Sequence, residues 1–574
     1  MHLLSIIVFL PLLTALVLAL IPANYRFVMR ALTLMATLVT MLLAGLLFLR
    51  FTPGAEGFQF VHRIEWLPAL GINYHIGVDG INVCLLLMVA IVSFAAACVS
   101  WEIKTNEKLF YILFLLIAGG ALGAFASLDL FFLYFFNELA LVPTFIMIGV
   151  WGRGPDKNYA TYQITLYLSV GALLALIGLI MLYVQAGASS LNIVTLLEHV
   201  KVNPLSAKSQ NLIFPLLMFG FGILVGLVPF HSWAPLGYGS APTATAMLHA
   251  GVLKKAGLYA IIRVALPLLP EGAAGWMQIL AWLCIGNILY CGWVAMRQRN
   301  LNFLIGYSSL AHMGFVFLGI ASLSLVGITG AVLVMVAHGL LAALSFAISG
   351  YLYNTTGTLD MDKLGGLMRR MPFIGAALVM AFLAGCGLPG FANFPGELLV
   401  MFGAWKSLNW FVVAAAWGGL VIGALYMLRA VRDVVHGPEK VDFAAVTDAN
   451  AWRKVPFVLL LSGLILFGCF PGLLTERIKP SAALIVEASR AKAKPAAVAE
   501  AQSSNDQRSS KLKEPRGITC AHGRTRFRSA WIMEVLSKMS GVLEMRRRCG
   551  PGRAALRPGG ASCLSSNFVI PPLK

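Results

Sequence analysis

A single glutamate, Glu138, stands in the run FFLYFFNELALVPTF (131–145), surrounded by aromatic and aliphatic side chains. A carboxylate in the middle of a membrane-length apolar segment costs at least about 2.5 kcal/mol, so its default reading is functional, in a proton or ion path. Six more ionisable residues fall well inside other apolar runs: His249, Lys254, Lys255, His312, His338 and Glu397. Carboxylate, amine and imidazole together are the inventory of a proton relay. Burial disfavours the charged form of each, which draws their proton affinities together, and imidazole starts near neutrality. His249 and Lys254 have a competing local role, bonding within their own helix. His231, beside Pro229, either joins the polar seam or caps backbone carbonyls freed by the proline. Asp79 and Asp129 sit at the ends of apolar runs and read as caps or loop residues. The nine cysteines form no CxxC pair and no Cys/His spacing that would hold zinc or an iron–sulfur cluster, so no metal is expected in this chain.

The elements that must position these groups follow from composition. The chain has 574 residues, 59% of them hydrophobic and 12% charged, with mean hydropathy +0.82. That is too little polar surface to coat a soluble globule of this length, so the chain reads as a multi-pass membrane protein. Runs of about 20 apolar residues, enough to cross a hydrocarbon layer of ~30 Å, number fourteen: 3–21, 29–49, 80–101, 109–127, 129–151, 160–185, 211–229, 242–266, 273–296, 300–322, 325–352, 373–401, 410–430 and 452–474. The first lacks a basic leader and a small-residue cleavage site and is kept as an uncleaved span. In lipid the backbone amides find partners only within a helix, so the expected fold is an all-α bundle.

With the N-terminus outside, sixteen loop Lys and Arg fall on the inside, Arg297, Arg369 and Arg370 among them, and eight outside, Arg263 among them. This bias fits the positive-inside rule and an even number of spans. Proline and glycine break two spans, at LVGLVPFHSWAPLGYGSAPTA (224–244) and at AGCGLPGFANFPGE (384–397); Pro229 and His231 mark the first break, Pro389 and Pro395 the second. The breaks stand five spans apart, as two five-helix repeats would place them, and paired discontinuous helices point to an ion path near the midplane. The alternative is a pair of unrelated proline kinks. The division expected is 1–108 for spans 1–3, 109–266 and 267–435 for the two repeats, 436–480 for a last helix, and a basic tail over 481–574. Residues 490–574 hold 17 Lys and Arg against 5 Asp and Glu out of a net charge of +19, with little to bury, and read as disordered. The tail is a linker or extension rather than a nucleic-acid site.

The segments GVDGIN (77–82), FFNELALVP (135–143), VPFHSW (228–233), APTA (241–244), AGVLKKAGLYAIIR (250–263), LIGYSSLAHMGF (304–315), AHGLLAALSF (337–346), GGLMRRMP (365–372) and GLPGFANFPGE (387–397) together resemble the antiporter-like membrane subunits of the subunit M, or chain 4, type in proton-pumping NADH:quinone oxidoreductase, respiratory complex I. The resemblance spans residues 1 to about 480 in unbroken order. It implies fourteen helices with inverted repeats and a proton path through Glu138, Lys255, His312, His338 and Glu397. It also implies quinone, flavin and iron–sulfur clusters held by partner subunits, other membrane subunits and the lipid bilayer as partners, and a bacterial inner membrane as the location. Subunits of cation/proton antiporters and membrane-bound hydrogenases share these motifs. The chain departs from the pattern in having Leu224 where the seventh helix usually carries lysine, and Leu236, Tyr238 and Ser240 after the Pro-x-His motif. Lys254 or His249 is then a candidate substitute, and a non-conducting structural subunit is the contrasting reading. On the charge pattern both termini lie outside: a reporter fused after residue 480 should score as extracytoplasmic, and a cytoplasmic score would reverse the parity.

Overall fold

The computed structural model describes residues 3–438 and 447–490; the bulk of the expected basic tail, from residue 491 on, lies outside the described residues. The chain opens with α1 (Leu3–Leu20) and α2 (Arg26–Arg50), then a hairpin of β1 (Gln59–Leu67) and β2 (Ile72–Val78). Next come α3 (Gly80–Val99), α4 (Glu107–Ala126), α5 (Leu130–Trp151), α6 (Lys157–Ala186), the short α7 (Ile193–Val202), α8 (Ala207–Val225) and α9 (Trp233–Ser240). The stretch from 243 to 268 is one winding path of α10 (Thr243–Leu248), a π turn (His249–Leu253), α11 (Lys254–Ala260), a second π turn (Ile261–Ala265) and α12 (Leu266–Leu268). Then follow α13 (Pro270–Ile285), α14 (Gly292–Ala295), α15 (Leu301–Ala321), α16 (Leu325–Thr356), α17 (Leu367–Arg370), α18 (Pro372–Gly385), α19 (Asn393–Trp405), α20 (Asn409–Ala416), α21 (Gly423–Val434), α22 (Ala451–Cys469) and α23 (Gly472–Arg490).

Among the described residues, twelve helices are long and apolar enough to cross a membrane. Two of the fourteen expected spans fall outside that set, for a physical reason. The path 243–268 carries Lys254, Lys255 and Arg263, and the span 373–401 is cut into α18 and α19. Both expected breaks are present: residues 226–232 and 386–392 are non-helical. Helix starts are written in the sequence as caps. Asp79 accepts from the amides of Ile81 and Asn82 at the start of α3, and Asp129 accepts from Phe131 and Phe132 at the start of α5, so both aspartates are caps.

The helical fold expected is the one observed, with one addition: an antiparallel hairpin paired from Gln59↔Val78 to Leu67↔Ile72, its register shifting between Gln59 and His62 and again between Glu65 and Leu67. It lies between the second and third apolar runs, where its edges can pair with other polar backbone: the amide of Leu128 bonds to the carbonyl of His75 at 2.8 Å, and that of Asn73 to Asp129 Oδ2 at 3.2 Å. The last expected span ends early, at Cys469, and an amphipathic α23 runs on to Arg490 with Leu474, Ile478, Ala482 and Ile485 turned inward. The expected tail boundary at 481 therefore falls inside a helix. Arg263, assigned above to an outer loop, lies in the second π turn, 6% exposed and ion-paired with Asp79.

The centre of the bundle is α16, which packs against α3, α10, α15, α18, α19 and α22. Its contact with α19 depends on missing side chains: a Cβ at Gly330 would come within 2.6 Å of the Val400 amide nitrogen. Such backbone approach is how helices associate where lipid supplies no hydrophobic drive. Gly330→Val should cost at least about 1–3 kcal/mol of overpacking and remove the subunit from the assembled complex on native gels. Gly45→Ala, where the added methyl meets nothing within 4 Å, should leave assembly unchanged.

Candidate functional site

Lys255 follows the first π turn and is fully buried. Its Nζ donates to the carbonyl of Ala250 at 2.6 Å, inside that turn, and lies 2.9 Å from His338 Nδ1 on α16. The rings of His338 and His312 are 5.4 Å apart between centroids. On α15, His312 places Nδ1 2.8 Å from the carbonyl of Ser308, and Nε2 both 3.2 Å from the carbonyl of Gly385 and 3.6 Å from Glu397 Oε1. Lys255, His338, His312 and Glu397 thus form one row, each at most 5% exposed.

The second break makes the row possible. Its first half, α18, ends at Gly385 and offers that carbonyl to His312; its second half, α19, brings Glu397 to the same ring. Gly387 in the gap has φ +68°, and a Cβ there would sit 2.8 Å from Glu397 Oε2, so glycine both makes the turn and leaves room for the carboxylate. Both nitrogens of His312 face a carbonyl oxygen. Either neutral tautomer satisfies one of them and the imidazolium satisfies both, so the ring can take a proton on one nitrogen and release another without turning.

The other expected residues stand apart from this row. Lys254 is also fully buried, but its Nζ bonds to Ser309 Oγ at 3.1 Å and lies 4.7 Å from the centre of the Tyr238 ring. His249 is held between Trp233 and Tyr238, centroids 5.3 and 5.5 Å away, and neither ring nitrogen has a hydrogen-bond partner among the described residues. Glu138 is half-buried on α5; its hydrogen bond is a 3.4 Å contact from Asn137 Nδ2, and no ion pair joins it to the row among the described residues. Leu224, 4% exposed near the end of α8, is part of the apolar core. His231 bonds to the carbonyl of Pro229 at 3.2 Å, a cap within the break. Pro229 and Pro389 lie in the two gaps, and Pro395 in the first turn of α19.

Sequence reasoning missed Asn287, Ser308, Ser309 and Tyr426. Asn287 Oδ1 accepts from the amide of Val228 at 2.8 Å, and its Nδ2 donates to the carbonyl of Gly226 at 2.9 Å, which satisfies the backbone freed by the first break. Ser308 stands four residues before His312 in YSSLAH, one helical turn away, a spacing that could have marked it. Tyr426 and Asn287 carry no local signal, because their partners lie far away in the chain. Among the described residues no group of three or more His, Cys, Asp or Glu gathers as a metal site.

The family described as NADH:quinone oxidoreductase/Mrp antiporter, TM, matches residues 127–423. NADH-quinone oxidoreductase subunit M of Rhodobacter capsulatus is 34% identical over 85% of this chain and 96% of its own length. NADH-ubiquinone oxidoreductase chain 4 of Marchantia polymorpha is 33% identical over 84% of this chain and 97% of its own. A chain of respiratory complex I from Thermus thermophilus superposes with TM-score 0.78 at 30% identity, covering 85% of this chain and 99% of that one. A chain of the Mrp complex from Dietzia shares the fold, with TM-score 0.71 at 18% identity over 85% of this chain and 100% of that one.

Asn287→Ala should leave the Val228 amide and the Gly226 carbonyl without their partner, at about 1–3 kcal/mol for each group left unsatisfied. A lowered thermal inactivation temperature of the assembled complex is the expected readout; an unchanged temperature would mean that water replaces the amide.

Proposed function

The chain belongs to the NADH:quinone oxidoreductase/Mrp antiporter membrane-subunit family, and from that premise we propose that it carries protons across the membrane along Lys255, His338, His312 and Glu397. It is an antiporter-like membrane subunit of the complex I type, working among other membrane subunits. The observation that carries the path is the continuous buried row: amine, two imidazoles and a carboxylate, with 2.9 Å from Lys255 to His338 and 3.6 Å from His312 to Glu397. A relay along such contacts needs groups that both bind and release a proton, and amine, imidazole and carboxylate all do. Glu138, half-buried on α5, is a loading site. The quinone, flavin and iron–sulfur clusters that drive the cycle belong to partner subunits, and the chain performs no redox step itself. Residues 109–266 and 267–435 are the two repeats, and the break in the second supplies the path with the Gly385 carbonyl and the Glu397 carboxylate.

The contrasting reading is a structural subunit without conduction, favoured by Leu224 in place of a cation beside Glu138. Proton uptake into vesicles, driven by the host complex and with assembly checked on native gels, decides between them. Lys255→Ala, His312→Ala and Glu397→Gln should each remove most of the translocation. Glu138→Gln should cut it strongly, Lys254→Ala much less, and Leu224→Lys should be tolerated. If Lys255→Ala and Glu138→Gln both assemble and pump at the unmutated rate, the structural reading takes the place of the conducting one.

A further inference from the structure

On the surface of the bundle, α21, the turn before it and the end of α14 bound a groove of about 660 Å³, lined by Val421, Ala424 and Leu425, with Met296, Arg429 and Arg432 at one end. Its base includes Tyr426, 2% exposed. The phenol of Tyr426 donates to Ser308 Oγ at 3.1 Å, and Ser308 Oγ stands 3.5 Å from His312 Nδ1. Ser308 is 3% exposed, and its hydroxyl is the only link among the described residues between that phenol and the row. Two buried hydroxyls therefore run from the wall of an open groove to the middle of the Lys255–Glu397 row. Each both donates and accepts, so each can pass a proton on without holding a charge.

We propose that Tyr426 and Ser308 form a side branch that delivers protons from water in this groove to His312, an inference that rests on the conducting reading above. The transfer balances as a shuttle. Ser308 gives its hydroxyl proton to Nδ1 of neutral His312 and takes one from the Tyr426 phenol, which takes one from a protonated water in the groove. The imidazolium releases its Nε2 proton to the Glu397 carboxylate. The 3.5 Å step closes when the Ser308 hydroxyl swings toward Nδ1, in the tautomer that does not use Nδ1 to donate to the Ser308 carbonyl. Arg429 is spent on the carbonyls of Met296 and Gln298. Arg432 is paired with Asp433 through a 2.8 Å contact. These pairings hold both guanidinium groups at the groove's end. On the charge pattern that end is the inner side, so the branch takes up protons from the inner compartment.

The test uses the assembled complex in inverted vesicles, where the inner side faces the medium. Leu425→Cys should react with a membrane-impermeant thiol reagent, because the groove holds water; a cysteine there that stays unlabelled in the assembled complex, covered by lipid or by a neighbouring subunit, overturns the proposal. Tyr426→Phe keeps the ring and its packing and removes the relay atom, and Ser308→Ala removes the second hydroxyl. Each should lower the protons translocated per quinone reduced severalfold, with unchanged assembly on native gels. A purely structural role would instead move assembly or stability and leave that ratio alone. His312→Ala separates the two readings. If His312→Ala loses translocation while Tyr426→Phe and Ser308→Ala keep the full ratio, the branch is wrong and the main path stands. If His312→Ala itself pumps at the unmutated rate, the conducting reading fails first.

Discussion

The constraint on which the rest of this structure depends is that a bilayer interior offers no water to an ionisable side chain or a freed backbone group. Each such group must be answered from within the protein, and the answers fix the architecture. A lysine can sit at the bundle centre because the π turn leaves the Ala250 carbonyl for its Nζ and α16 supplies the His338 ring. An imidazole can sit beside it because a helix was cut: a continuous span at 373–401 would spend the Gly385 carbonyl on its own ladder and hold Glu397 a turn and more further along. The second break is thus both a cost in backbone bonds and the source of two ligands for His312.

The first break works differently. Its freed amide and carbonyl are taken by Asn287, and its histidine caps its own turn, so little of its polarity is left for the relay. This asymmetry matches the apolar Leu224 at the end of α8. At Leu224 the chain packs a hydrocarbon, and Glu138 on α5 has an amide neighbour rather than a cation. The polar groups are therefore unevenly divided: a connected row running from Lys255 to Glu397, and, before it in the chain, a carboxylate with separate buried polar residues. Arg263 and Asp79 anchor the winding path 243–268 to α3. The arginine lies on the same winding path as Lys255, and its ion pair to the cap of α3 holds the far end of that path in place.

Legibility in the sequence followed the range of the interaction. Spans, caps and breaks are set by residues close in sequence, and so were readable: apolar runs gave the helices to within a few residues, Asp79 and Asp129 were recognisable as caps, and proline with glycine marked both gaps. The members of the row were readable too, because an ionisable side chain in an apolar run is costly wherever it points. What could not be read was which of them meet. Lys255 and His338 are separated by 82 residues that position and sequence spacing alone do not bring together, and Ser308 and Tyr426 look like ordinary polar decoration until their partners are known. The hairpin was missed because its strands lie between spans, where a hydropathy reading is blind to backbone pairing. Arg263 was misplaced for the converse reason: a charge near the end of an apolar run reads as a loop residue, and only its distant partner Asp79 explains why it is buried.

The two adjacent lysines show how far local geometry decides function here. Neighbours on an α-helix point about 100° apart, so one lipid-facing helix could bury only one of them. The path 243–268 is enclosed by other helices, among them α3, α8 and α16, and both lysines are at 0% exposure. They reach different helices: Lys254 meets α15 at Ser309, and Lys255 meets α16 at His338. Glycine sets the second contact. A Cβ at Gly251, in the π turn, would lie 3.0 Å from the Gly339 carbonyl, so the absence of one lets the turn approach the residue after His338. The same turn leaves the Ala250 carbonyl to the ammonium group. One added residue in a helical turn, a device that recurs at functional sites, thus aims Lys255 along the row and leaves Lys254 beside it, bonded to a serine whose neighbour in sequence, Ser308, contacts His312.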